Sequence, residues 1–127
     1  MKTIRTALAR FVFGLAVLAL LAVPPVMAHH SAAAQDFSRR VEIEGVVEFW
    51  EIVNPHGRVI LKVTDEKGTR SIEFETHSRN NVYRAGYRDG MVEVGDTITI
   101  FIAPNRDGSD GGYIASFVSA DGSPVGN

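Results

Sequence analysis

Four histidines carry the most chemical potential in this 127-residue chain, and they fall into two pairs, His29 with His30 and His56 with His77. Imidazole is a ligand for copper, zinc and nickel, and a histidine at a free N-terminus offers its α-amine and its ring nitrogen as a chelating pair. Cleavage after Ala28 would make His29 such a terminus. The second pair follows from a hairpin. If the turn Asp65 to Gly68 is symmetric, facing positions in the flanking strands sum to 133, which sets His56 across from His77. Cross-strand partners have Cβ atoms about 4.5–5.5 Å apart, so both rings would reach one ion. The segment from His29 to Ser38 spans at most about 33–36 Å, enough to bring the first pair to either end of a small barrel. The expectation is a site in which His29, His30, His56 and His77 bind copper or zinc. A plainer reading makes His29 and His30 polar residues of a mobile tail, His56 a locally bonded turn residue and His77 an exposed strand end. The chain would then be a protein or small-molecule interaction module with no metal.

Other chemistries are poorly represented. There is no Cys and no Gly-x-Ser-x-Gly, and an acid/base arrangement of His56 or His77 with Glu75 would lack a nucleophile. No catalytic activity is expected. No Gly-rich phosphate loop precedes a helix. Asp107 and Asp110 flank Gly108 and Ser109 without the spacing or the terminal Glu of a calcium loop, so Pro104 to Gly112 reads as a flexible connection. Among the aromatics, Phe49, Phe74 and Phe117 fit core positions, while Trp50 and Tyr87 are candidates to contact a ligand. The alternative is that both rings seal the ends of the barrel.

Positioning these residues requires strands. Val41, Ile43, Val47 and Phe49 alternate with Glu42, Glu44 and Glu48, which predicts a long strand from Arg39 to Trp50 with a bend or bulge at Gly45. After a turn at Asn54, Pro55 and Gly57 come strands Arg58 to Thr64 and Thr69 to Thr76. Their register sets Val59 opposite Phe74 and Leu61 opposite Ile72 on one face, and Arg58 opposite Glu75 on the other. Ser78 and Gly86 bracket a short helix from Arg79 to about Arg84. Strands Thr97 to Ile102 and Tyr113 to Ser119 complete the set, with Ile98, Ile100 and Ile102 inward. Three strands, a short helix and two strands is the element order of the five-stranded oligonucleotide/oligosaccharide-binding (OB) barrel, so an all-β, OB-like fold is expected.

The first 28 residues read as a secretory signal: Lys2, Arg5 and Arg10, an apolar run of 13 residues from Phe11 to Val23, then Pro24, Pro25 and the small-residue site ending at Ala28. An uncleaved anchor is the rival, but the run is short of the roughly 20 residues that span a bilayer. Cleavage would leave 99 residues with 10 basic and 15 acidic side chains, a net charge of −5. That sign argues against a nucleic-acid partner. A periplasmic chain without a membrane segment after cleavage is expected, with residues 29–38 as a mobile tail, 39–122 as the barrel and 123–127 as a C-terminal tail. Without Cys, stability must come from core packing, which 99 residues can supply.

The residues also resemble a family of exported proteobacterial proteins whose domain of unknown function, numbered 6152, begins with His-His-Ser after the signal peptide. The resemblance rests on His29, His30, Ser31 and Phe37; on Gly45, Val46 and Val47; and on Asn54, Pro55 and His56, then Asp65 and Gly68. It continues through Phe74, Glu75, Arg84, Gly86, Tyr87, Gly95, Asp96 and Pro104 to Asp121 and Gly122. Two departures are visible, Ile72 where the family usually has Trp and Arg79 where it usually has Pro. The resemblance implies an exported, small β-rich domain and no particular activity.

Overall fold

In the first element of the structure, a computed structural model that describes residues 33–126, β1 runs as an 11-residue strand from Val41 to Glu51. The predicted signal segment and both His29 and His30 lie outside the described residues. Strands β2 (Arg58–Asp65) and β3 (Gly68–Thr76) form a hairpin across the Asp65–Gly68 turn. Its register is the predicted one, with Val59 opposite Phe74, Leu61 opposite Ile72 and Arg58 opposite Glu75. Both apolar pairs are buried, so a slip of one residue would exchange core for solvent along the whole hairpin.

Helix α1 (Arg79–Arg84) starts where Ser78 accepts a hydrogen bond from the Asn81 backbone N–H at 3.4 Å. It stops at a Schellman motif. Gly86, in the left-handed region, donates to the Tyr83 carbonyl, and Tyr87 donates to the Val82 carbonyl. Val82 and Tyr87, brought together by that motif, are both buried and fasten the helix to the core.

Strands β4 (Thr97–Pro104) and β5 (Gly112–Val118) follow, and the sheet order is β3-β2-β1-β4-β5. A parallel β3–β5 pairing of Phe74 with Gly112, Glu75 with Tyr113 and Thr76 with Ile114 closes it into a barrel. The result is a closed, five-stranded OB-like barrel with its helix between β3 and β4. Ile98, Ile100 and Ile102 point inward and are 0–3% exposed, joining Val47, Val59, Leu61, Phe74 and Phe117 in one core.

Three expectations are corrected. First, Gly45 is not the bulge. A Cβ there would stand 3.0 Å from the Leu61 Cβ and 3.0 Å from the Lys62 carbonyl oxygen, so Gly45 lets β1 and β2 cross closely. The irregularity falls instead between Val47, opposite Leu61, and Phe49, opposite Ile60, with Glu48 as the extra residue. That insertion reverses the alternation beyond it. Trp50, opposite Val59, turns inward, and Phe49 turns outward beneath the Arg58 guanidinium, 5.1 Å from its ring centre.

Second, the C-terminal residues are not a tail. Pro124 and Val125 form β6 against Val118 and Phe117 of β5, and Val125 is 2% exposed because it caps the core beside Phe117. Third, the upstream segment is tied down from Ala34 onward. Gln35 bridges to Asn105, Asp36 N–H donates to the Pro104 carbonyl, Arg106 N–H donates to the Ala34 carbonyl, and Phe37 packs on Tyr113. Two polar backbone groups of the segment, the Ala34 carbonyl and the Asp36 N–H, thus find partners at and just beyond the end of β4, which a loose tail would leave to water.

Candidate functional site

The β1–β2 turn delivers His56, and the chain has little freedom in doing so. Ile52 is buried after β1, and Gly57 accepts a hydrogen bond from the Thr76 N–H at 3.0 Å. A Cβ on Gly57 would meet the Thr76 Oγ1 at 2.5 Å and the Glu51 carbonyl at 2.7 Å. The ladder therefore continues one pair past Arg58 and Glu75, up to Gly57 and Thr76, before the two chains part at His56 and His77.

The histidines go to different partners. His56 Nδ1 lies 3.2 Å from the Thr76 carbonyl oxygen and 3.3 Å from Glu75 Oε1. A carbonyl oxygen only accepts, so Nδ1 carries the proton and donates, and in the neutral ring Nε2 holds the lone pair. His77 Nδ1 is 2.9 Å from the Tyr113 hydroxyl. Tyr113, 8% exposed at the start of β5, joins the two: its ring is 6.1 Å from that of His56 and 4.9 Å from that of His77, both edge-on, with Phe37 at 5.7 Å. Burial raises the Tyr113 phenol above its ordinary pKa, and the charge of Glu75 adds to the effect.

The predicted facing of His56 and His77 thus becomes a shared contact with Tyr113 instead of a direct pair. Among the described residues, no three His, Asp or Glu side chains are placed to hold one metal ion. Glu75 does not pair with Arg58 as expected. Arg58 reaches diagonally to Glu73 at 2.7 Å, which leaves the Glu75 carboxylate turned to His56. Further out on the β2–β3 face, Glu48 takes Lys62 at 3.1 Å and Ser71 at 2.5 Å. Arg70 clamps Asp65 and Asp110 at 2.7 and 2.6 Å.

Trp50 and Tyr87, the two rings expected to contact a ligand, turn toward each other, Tyr87 buried and Trp50 partly so. Tyr87 is 3% exposed, and its hydroxyl accepts a hydrogen bond from Trp50 Nε1 at 3.0 Å. Both rings pack on Phe117, Trp50 at 5.1 Å and Tyr87 at 6.2 Å. The Glu48 bulge and the Schellman motif bring them there, where they seal the barrel.

Sequence reasoning missed Tyr113 as the hub of the site. Its signal was slight: an aromatic residue opening a strand directly after Gly111 and Gly112.

Strand order, closure and helix position define a small OB-like β-barrel domain. The sequence profile of the family of unknown function DUF6152 matches residues 17–115, a stretch that contains all four histidines and Tyr113, and the chain belongs to that family. No curated protein matches its sequence.

Proposed function

We propose that this chain is an exported, periplasmic, non-catalytic binding module that holds a copper or zinc ion at the Tyr113 end of its barrel, with His56 and possible co-ligand His77 joined by His29 and His30. The observation that carries the reading is the anchoring of residues 34–37. Hydrogen bonds to residues 104–106 and the Phe37 ring on Tyr113 fix the chain beside the two barrel histidines. His29 lies five residues before Ala34, a reach of at most about 17–18 Å. A chain beginning at His29 would have its terminal histidines within that reach of Ala34.

The chemistry of His56 agrees with a ligand role. Its Nδ1–H donates to a carbonyl and a carboxylate, the arrangement by which metal-binding imidazoles are oriented and made more basic, and Nε2 is the atom a metal would take. Because the described residues supply no three-ligand group of their own, the terminal histidines are required by this reading and are not an ornament to it.

The test is the metal content and intact mass of the protein purified from its native compartment under non-denaturing conditions. One copper or zinc per chain beginning at His29 is expected. It should be lost when His29 and His30 are both replaced by Ala, and again in His56→Ala. Glu75→Gln, which keeps the shape but removes the carboxylate charge behind the ring, should weaken binding about 10-fold. Full metal content in the double terminal variant would overturn the reading.

A further inference from the structure

A second candidate site lies between α1 and the β5–β6 end of the barrel. Here a shallow cleft has Val82, Ile114, Phe117 and Val125 as its apolar floor, with Ala85 and Ala115 at its mouth. The floor residues are buried core side chains, so the cleft is a window onto the core. Both mouth residues are small and exposed, which keeps it open.

Its electrostatics run against those of the whole chain. No carboxylate lines the cleft. Two arginines flank it, each hydrogen-bonded to a polar residue of its rim. Arg84 Nη1 donates to Asn81 Oδ1 at 3.5 Å, and Arg40 Nη2 donates to Ser116 Oγ at 3.1 Å while resting on the Phe101 ring at 4.3 Å. Neither has a carboxylate partner among the described residues, a condition they share with Arg39 and Arg88 and not with Arg58, Arg70, Arg79 and Arg106. Two guanidiniums hydrogen-bonded to the rim of an apolar window that no carboxylate lines give the cleft a positive edge.

We propose that this cleft binds a small carboxylate-bearing apolar molecule, its hydrocarbon part over Val82 and Phe117 and its carboxylate on Arg84, with Arg40 as the second cation. An apolar concavity with a few converging polar groups is the usual form of a small-molecule site, and an arginine is the side chain best matched to a carboxylate. His77, a co-ligand in the metal reading, also lines the cleft, but the proposal requires no bound metal.

The experiment is chemical-shift mapping of the full-length processed protein, labelled with nitrogen-15, against hexanoate, with hexylamine and acetate as controls. Hexanoate at millimolar concentration is expected to move the amides of Ala85, Ala115 and Gly126. Hexylamine, with the same chain and the opposite charge, and acetate, with the charge and no chain, should not. Arg84→Gln should weaken the hexanoate response at least about 5-fold, the scale of one lost charge-assisted hydrogen bond. Ala85→Phe, a substitution at an exposed position that roofs the cleft, should abolish it with the fold intact by circular dichroism. The titration is repeated with chelator, and an unchanged response is expected. Loss of the response in chelator would show that a bound metal had taken the carboxylate and would overturn the proposal, as would equal shifts with hexylamine or an undiminished response in Ala85→Phe.

Discussion

Replacing Trp50 by Ala should destabilise the domain far more than replacing Phe49 by Ala, although simple alternation along β1 ranks them the other way. The Glu48 bulge turns Trp50 inward, where it contacts Phe117 at 5.1 Å and Tyr87 at 6.0 Å and donates to the Tyr87 hydroxyl at 3.0 Å. Truncating a fully buried aromatic to Ala costs about 3–5 kcal/mol. Trp50 is half-buried, which lowers the hydrophobic part, but it also loses two ring contacts at about 0.5–1.5 kcal/mol each and leaves the Tyr87 hydroxyl without its donor. The net is about 3 kcal/mol. Phe49 faces outward, and its loss removes an exposed cation–π contact with Arg58 and part of a surface packing, about 1 kcal/mol. For a domain of this size those costs correspond to falls in Tm of roughly 12–24 °C and 4–8 °C. Thermal melts followed by far-ultraviolet circular dichroism measure both, since Trp50 is the only tryptophan and cannot serve as the probe. An equal or larger loss in Phe49→Ala would refute the bulge assignment and the inward place of Trp50 with it.

Gly57→Ala forces a methyl group against Thr76 Oγ1 and the Glu51 carbonyl, so it should cost about 1–3 kcal/mol by urea titration and shift the His56 ring resonances, where Gly68→Ala, with open space around its Cβ, should leave them in place. Truncation after Ser123 removes β6 and the buried Val125, for an expected loss of about 1.5–3 kcal/mol in the same assay, whereas a true tail would be dispensable. Acid sensitivity should centre on Arg70. Hydrogen bonds from its guanidinium hold Asp65 and Asp110 below the ordinary carboxylate range, near pH 4. A carboxyl whose folded pKa is depressed contributes in full above its unfolded value and loses that contribution as pH falls through the folded one. Asp110→Asn should therefore lower Tm at neutral pH, with the gap to the natural chain closing below about pH 3.

The barrel was legible where local chemistry and pattern agree. The β2–β3 register followed from a four-residue turn and two faces that matched at once, and the helix from Ser78 and Gly86, which act on their own neighbours. Where a single residue changes the parity of a strand, pattern alone fails. Nothing in the type of Glu48 marks it as the extra residue, so Phe49 and Trp50 exchange roles. Tyr113 was hidden for a different reason. Its contact with His77 exists only because β3 and β5 meet, and its contact with Phe37 only because residues 34–36 bond to residues 104–106, long-range pairings that no local window contains. In β6, two paired residues beginning with a proline are too brief to show a period.

The seam that closes the barrel has a consequence for the order in which the protein can be made. Only three residue pairs join β3 to β5, and the first of them, Phe74 with Gly112, links positions separated by the helix and the whole of β4. An emerging chain can form the β1–β2–β3 meander early, but that sheet keeps its apolar side uncovered until β4 and β5 are available. A chain that delays closure in this way commits to its final shape only once β5 is in place beside β3.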